Sequence, residues 1–140
     1  MKKSIWLLST LLILSLVLSA CGQTAATEPT EVNCRAEASY ETVGSYQVPA
    51  PIEGCFNVAF VYVGPHDDGG WSQSHDVGRQ YVEQTLEGVH TAYVENVAEG
   101  ADAEQVTRSL ARKGFDVIFT TSFGFMDASE IVASEFPDVD

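Results

Sequence analysis

Three short apolar runs dominate the hydrophobic pattern of the chain, beginning near residues 56, 89 and 116. Each run is dense in β-branched and aromatic residues, which is typical of strands buried on both faces of a parallel sheet. Stretches with apolar residues at the helical period follow them at 71–86, 102–114 and 127–136. The repeated order of strand and helix predicts an α/β fold with right-handed crossovers, in three layers with the parallel sheet in the middle.

The pattern of the first predicted helix also indicates which of its sides is buried. Gly78, Val82 and Leu86 share one stripe, with Val77 and Tyr81 beside it, so this side is predicted to face the sheet. A glycine on an exposed helix face costs about 1 kcal/mol relative to alanine. Gly78 is therefore interpreted as allowing a close approach of the helix to the sheet.

Residues 1–20 have the pattern of a signal peptide. A positive start is followed by an apolar run over 5–18, which as a helix would span ~21 Å, less than the ~30 Å hydrocarbon core of a bilayer. The run ends in Leu18-Ser19-Ala20-Cys21-Gly22, which looks like a bacterial lipobox with Cys21 as the lipidated, palmitate-bearing residue. The alternative is an ordinary signal peptide followed by an unrelated cysteine. A lipid on Cys21 would anchor the chain to the membrane without spanning it.

Residues 21–55 are predicted to be a tether, because they are rich in Thr, Ala, Glu, Ser and Pro and show no regular apolar period. Two further cysteines, Cys34 and Cys55, lie in or next to this segment. In an oxidising compartment a disulfide between them is expected, closing a loop worth roughly 3 kcal/mol. The alternative is two free thiols. The third region, 56–140, holds the α/β pattern.

The 140 residues carry 20 acidic and 7 basic side chains, a formal net charge of −13, and 45% hydrophobic residues. This length suffices for one modest domain. The charge excludes a nucleic-acid binder, which needs a basic surface to displace phosphate counterions. Removing residues 1–20 would also remove two lysines and no acid, leaving −15.

Ligands of open parallel sheets bind beyond the carboxyl ends of the strands, so residues 64–71 and 122–127 are the candidate loops. The first is glycine-rich, but it lacks lysine and holds Asp67 and Asp68, which argues against phosphate. Asp68 is interpreted as a helix cap or as an acceptor for ligand N–H and O–H groups. Trp71 is interpreted either as a stacking platform for a planar or sugar-like group or as a core residue beneath the loop.

Polar side chains beside these features complete the candidate site. Ser72 and Gln73 are placed to form hydrogen bonds with a ligand or simply to cap the helix. The second loop combines hydroxyls, a glycine and aromatic rings, which suits either a ligand pocket or a hydrophobic turn. Its candidate residues are Ser122, Phe123, Gly124 and Phe125.

Metal-binding and catalytic patterns are weak. His66, Asp67, His75 and Asp76 include zinc-ligand types, but they lack the spacing of a zinc motif. The chain has no G-x-S-x-G nucleophile motif and no serine with an evident histidine partner. The prediction is therefore a protein that is not an enzyme and that uses neither a metal nor another cofactor.

Three segments, GPHDDGGWSQSHDVGR, YVENVAEGADAE and FTTSFGFMD, make residues 56–139 similar to the basic-membrane-protein family. These proteins are substrate-binding lipoproteins of ABC importers, related to purine-nucleoside receptors. The resemblance implies a type I periplasmic-binding-protein fold, in which two lobes close on a purine nucleoside or a base such as adenine. It also implies ABC permease subunits as partners and a lipid-anchored location on the extracytoplasmic face of the cell membrane.

The resemblance assigns base stacking to Trp71 and ligand contacts to Asp68, Ser72, Gln73 and the loop 122–125. Many family members have phenylalanine and asparagine where this chain has Trp71 and Ser72, a difference that favours a free base. Family members are more than twice as long, so residues 56–140 are interpreted as an incomplete N-terminal lobe that binds purines weakly by itself. The alternatives are a signalling lipoprotein, a sugar receptor of the same fold and a metal-binding lipoprotein.

Overall fold

The structure is a computed structural model that describes residues 31–140. The predicted signal peptide (1–20) and the lipidation of Cys21 lie outside the described residues. Among the helices of the described part, none has the length and apolar character needed to cross a membrane. The elements run in chain order as β1 (Tyr40–Val43), β2 (Tyr46–Pro49), β3 (Phe56–Val61), α1 (Trp71–Thr85), β4 (Val89–Val94), α2 (Ala101–Lys113), β5 (Val117–Thr120), a 3₁₀ turn (Phe123–Phe125) and α3 (Met126–Glu135).

The central sheet is parallel, with the strand order β4-β3-β5. In its register Ala59 of β3 lies between Ala92 of β4 and Ile118 of β5. On the outer side of β5, the Asp140 carbonyl accepts a hydrogen bond from the Ile118 N–H at 2.8 Å, and the Asp140 N–H donates to the Asp116 carbonyl at 3.1 Å. The predicted α/β architecture with a parallel sheet is confirmed.

Helices α2 and α3 cover one face of the sheet with an apolar core. The residues of this core include Ala59, Val61, Ala92, Val94, Val97, Ala103, Val106, Leu110, Phe115, Phe125 and Ala128. Helix α2 ends at Gly114, whose φ of 94° gives the left-handed turn that favours glycine, and basic side chains occupy its last turn. On this side of the sheet, the residues that define the end of α2 and the apolar residues that bury it therefore specify the same helix.

Helix α1 covers the other face in a different way from the prediction. Its fully buried residues are Ser72 and Asp76, whereas Val77 and Tyr81 are 60% and 68% exposed. A Cβ at Gly78 would meet no heavy atom within 4 Å, so this glycine does not mediate a close approach to the sheet. The predicted stripe was wrong, because the sheet beneath α1 presents polar groups that select the polar side of the helix.

Those polar groups form a buried network around Arg79. Its Nε lies 2.6 Å from Asp76 Oδ1, its Nη1 donates to Thr91 Oγ1 at 3.0 Å, and its guanidinium lies 5.1 Å from the centroid of the Tyr93 ring. The Tyr62 hydroxyl donates to Asp76 at 3.2 Å, and burial raises the pKa of Tyr62. Burial opposes ionisation of Asp76 as well, but hydrogen bonds from Arg79 and Gln80 lower its pKa.

The segment predicted to be a flexible tether contains a folded hairpin over residues 40–49. Strands β1 and β2 pair antiparallel around Gly44, whose φ is 63°. Val48 is fully buried in the core that α2 and α3 share with the sheet, which explains why this part of the tether is ordered. The prediction missed it because each strand has only four residues.

A disulfide joins Cys34 to Cys55 with 5.7 Å between their Cα atoms.

Candidate functional site

Three loops meet at the carboxyl end of the sheet: loop 1 (62–70), loop 2 (95–100) and loop 3 (121–125). The Asn96 N–H of loop 2 donates to the Gly64 carbonyl of loop 1 at 3.2 Å. Loop 3 is joined to the start of α1 by Trp71 and to loop 2 by Glu99. The first and third of these loops are the candidate loops predicted from the sequence; the second follows β4 by the same rule and was not predicted.

Trp71 is the first residue of α1, and its side chain remains 61% exposed. The indole Nε1–H donates to the Thr121 carbonyl at 2.5 Å, which ties the orientation of the ring to loop 3. The His75 ring lies 4.9 Å from the Trp71 ring, centroid to centroid, with the planes tilted by 56°. The exposure excludes a core tryptophan beneath the loop and leaves an indole surface open at the sheet edge.

Asp68 acts as the cap of α1. Its carboxylate accepts hydrogen bonds from the backbone N–H groups of Gly70 at 2.8 Å, Ser72 at 3.1 Å and Gln73 at 3.0 Å. These bonds lower the pKa of Asp68. Of the two interpretations of this residue, the described geometry supports the cap, because three backbone donors already occupy the carboxylate.

The other two predicted residues on α1 differ in accessibility. Ser72 is fully buried, and its Oγ accepts a hydrogen bond from the Gly64 N–H at 3.3 Å. Ser72 therefore supports loop 1 in this structure and presents no surface to a ligand. Gln73 is exposed, so its amide is accessible from solvent.

Loop 3 separates its two aromatic residues. Phe123 is 87% exposed, whereas Phe125 is fully buried in the core beside α2 and α3. The prediction that Phe125 contacts a ligand does not fit this burial; the residue anchors the loop instead. Ser122 accepts a bond from the Gly124 N–H at 3.3 Å and donates to Glu99 at 2.8 Å. A Cβ at Gly124 would overlap with the Glu99 carboxylate, so a larger residue there would displace the Glu99 side chain from this position.

The histidines near this edge have protein partners. His66 Nδ1 lies 2.8 Å from Glu95 Oε2, and that hydrogen bond raises the pKa of His66. His75 Nδ1 lies 2.8 Å from the Trp71 carbonyl. Within residues 31–140, no three His, Cys, Asp or Glu side chains are grouped to hold a metal ion.

The three loops at the sheet edge carry acidic side chains that no lysine or arginine in these loops balances. Loops 1, 2 and 3 contain four carboxylates and neither lysine nor arginine; the acids are Asp67, Asp68, Glu95 and Glu99. Such an edge repels an anionic ligand and offers acceptors to N–H and O–H donors. Together with the open indole, it is suited to a neutral or cationic ligand that has a flat face.

The sheet, its helices and the loops at its carboxyl end are those of part of one lobe of a solute-binding protein. Residues 55–140 match the family described as ABC transporter substrate-binding protein PnrA-like (Bmp). The chain belongs to this family, which consists of solute-binding proteins and implies an extracytoplasmic location. The resemblance found in the sequence is thereby confirmed.

Two curated relatives differ in the solute that their names give. The chain is 48% identical over 91 residues to a purine-binding protein from Brucella abortus (strain 2308), covering 64% of this chain and 26% of the relative. It is 42% identical over 89 residues to a putative ABC transporter glucose-binding protein from Haloferax volcanii, covering 63% of this chain and 22% of that one. The chain thus spans about a quarter of the length of these relatives.

Solved structures support the same fold. A solute-binding protein of an ABC transporter system from Conexibacter woesei superposes with a TM-score of 0.57 at 26% identity, covering 61% of this chain and 28% of the other. One from Aeropyrum pernix K1 gives a TM-score of 0.54 at 23% identity over 61% of this chain and 23% of the other, which supports the fold alone.

Proposed function

We propose that the protein is the receptor of an ABC importer and that it binds a purine nucleoside or a purine base at the carboxyl edge of this lobe. The observation that carries the proposal is Trp71, an indole held by the Thr121 carbonyl and left 61% exposed. The similarity to a purine-binding protein supports a purine as the solute. In the full receptor a second lobe closes over this edge.

The chemistry of the edge suits an uncharged purine. The base stacks on the indole, a contact worth ~1–3 kcal/mol in other base–aromatic pairs. Glu99 and the exposed Gln73 offer hydrogen-bonding groups to ring nitrogens, amino groups or ribose hydroxyls. The four carboxylates disfavour a phosphorylated purine, because no lysine or arginine in the three loops balances its charge.

The cellular setting is part of the proposal. Lipidation of Cys21 anchors the protein at the extracytoplasmic face of the cell membrane, and the permease subunits of the importer receive the solute. The lipobox-like segment and the family support both points. Acid-stable labelling of the expressed protein with a palmitate analogue, lost in Cys21→Ser, tests the anchor; labelling that persists in the variant contradicts it.

A sugar is the second candidate solute. The relative from Haloferax volcanii is named as a putative glucose-binding protein, and a tryptophan face also stacks on the apolar side of a sugar ring. The acceptor-rich edge suits sugar hydroxyls as well. A purine and a sugar would therefore both stack on Trp71, and a binding measurement with each solute is needed to distinguish them.

Calorimetric titration of the full-length protein with adenosine, adenine, adenosine monophosphate and glucose separates these possibilities. The proposal predicts saturable binding of adenosine or adenine, with the monophosphate at least tenfold weaker, the ratio that 1.4 kcal/mol of repulsion produces. Binding of glucose alone supports the sugar receptor. Equal affinity for the nucleoside and its monophosphate contradicts the electrostatic part of the proposal.

A further inference from the structure

The amino-terminal hairpin reaches the candidate site through one side chain, Tyr46. Its hydroxyl donates to Asp102 Oδ2 at 2.8 Å and accepts a hydrogen bond from the Ala98 N–H at 3.2 Å. The ring is half-buried and packs against the core shared with α2 and α3. Because Ala98 and Asp102 flank Glu99 and Gly100, the hydroxyl holds the outer part of loop 2 from both sides.

Loop 2 has an irregular backbone conformation. Asn96 and Gly100 both have positive φ values, 56° and 82°, so the loop contains two left-handed positions within five residues. Val97 is fully buried, and its N–H donates to the Tyr62 carbonyl at 3.0 Å, which anchors the start of the loop. Ala98 and Glu99 are exposed, and the partner of the Ala98 N–H is the Tyr46 hydroxyl.

Glu99 connects loop 2 to loop 3. Its carboxylate accepts a hydrogen bond from the Ser122 hydroxyl at 2.8 Å and lies against Gly124, in the space that a Cβ would take. Phe123, between these two residues, is the most exposed of the large apolar side chains in the described part of the chain. The neighbouring Thr121 carbonyl accepts the indole N–H of Trp71.

We propose that Tyr46 is a positioning residue of the ligand site, acting through Glu99 on loop 3 and thereby on Phe123 and Trp71. This inference rests on the proposed function and extends the site to the hairpin, which lies outside the residues 55–140 that match the family. It also makes Glu99 a determinant of specificity, because its placement sets where a carboxylate meets the donor groups of the ligand.

Tyr46→Phe tests the inference, with Tyr40→Phe as the matched control. Both changes remove one hydroxyl from the same hairpin, but the Tyr40 hydroxyl makes no hydrogen bond within residues 31–140 and its side chain is 52% exposed. In the full-length protein, Tyr46→Phe is expected to weaken solute binding roughly 3- to 10-fold, because part of the free energy of its two hydrogen bonds, one of them to the Asp102 carboxylate, is lost from the site. Tyr40→Phe is expected to leave the Kd unchanged.

Combination with Glu99→Ala distinguishes positioning from a general loss of stability. If Tyr46 acts through Glu99, the double variant Tyr46→Phe/Glu99→Ala binds no more weakly than Glu99→Ala alone. Losses that multiply in the double variant overturn this route. Thermal unfolding of each variant shows that the proteins compared are folded.

Hydrogen exchange provides a readout that needs no ligand. Tyr46→Phe is expected to accelerate exchange at the amides of Ala98 and Gly124, whereas Tyr40→Phe leaves both rates at the wild-type value. If the wild-type protein binds no purine or sugar, the proposed function fails and the exchange rates still decide the positioning role. Unchanged rates at both amides in Tyr46→Phe overturn it.

Discussion

The two faces of the central sheet are built from different chemistry. The face under α2 and α3 is a continuous apolar core, with Leu110, Val106 and Phe115 almost fully buried. The face under α1 has a smaller apolar cluster of strand residues and, against the helix itself, a charged network in which Asp76 is 2% exposed and pairs with Arg79. An apolar face tolerates small shifts of a helix, whereas a network of directed hydrogen bonds defines one position for it.

This difference matters because Trp71 is the first residue of α1. A helix whose rotation and height are defined by Asp76 and Arg79 presents its first residue at one place on the sheet edge. We infer that the polar face positions the candidate site, while the apolar face supplies most of the stability.

Removing Asp76 gives the largest expected effect. Asp76→Ala removes the closest partner of the buried Arg79 guanidinium and leaves it only the more exposed carboxylate of Glu83, at 2.9 Å, so we expect a loss of ~3–5 kcal/mol in the free energy of unfolding. Chemical denaturation measures it. The double variant Asp76→Leu/Arg79→Met removes the buried pair and leaves Glu83, which is the more exposed carboxylate, and it is expected to recover much of the loss while weakening solute binding. A double variant with wild-type affinity would contradict the positioning role of this face.

A cavity on the apolar face gives the next effect. Leu110→Ala removes a fully buried side chain from α2, which typically costs ~2–5 kcal/mol. The same denaturation experiment measures it. Because the change is remote from the three loops, we expect the Kd of the folded protein to stay within twofold of wild type. A larger change in Kd would show that the apolar face also positions the site.

The smallest effect is expected on the outer side of α1. Tyr81→Ser alters a residue that is 68% exposed, so the free energy of unfolding should change by less than ~0.5 kcal/mol. The helical stripe predicted from the sequence places Tyr81 beside a buried surface, and burial there would give a loss several times larger. Denaturation of this single variant thus distinguishes the predicted buried stripe of α1 from the exposed outer side seen in the structure.

The apolar face of the sheet could be predicted from the sequence, whereas the polar face could not. The three strands of the central sheet and helix α2 were predicted correctly because β-branched runs, an acidic first turn and Gly114 are local signals. The buried side of α1 was missed because Asp76 and Arg79 are expected at the surface unless a partner such as Thr91 is known. That partner comes from a different element, fifteen residues away from Asp76, and only the fold brings them together.

In the candidate site, the positions of two loops could be predicted from the sequence, but the burial and contacts of their side chains could not. Loops 1 and 3 were predicted from the rule that ligands bind at the carboxyl ends of parallel strands. The burial of Ser72 and Phe125 was not predicted, because neighbouring residues of a turn can face the core or solvent without any change in local pattern. The role of Glu99 depends on its contact with Ser122, which is 23 residues distant in the chain.

The central claim is that the exposed indole of Trp71 is the surface on which the solute stacks. Titration calorimetry of Trp71→Ala in the full-length protein, with the solute that binds wild type, tests it most directly, and Tyr81→Ala serves as a control for loss of an exposed aromatic on the same helix. We predict a Kd raised about 5- to 150-fold in Trp71→Ala, corresponding to ~1–3 kcal/mol of stacking, and an unchanged Kd in Tyr81→Ala. Wild-type affinity in a folded Trp71→Ala protein would contradict the claim.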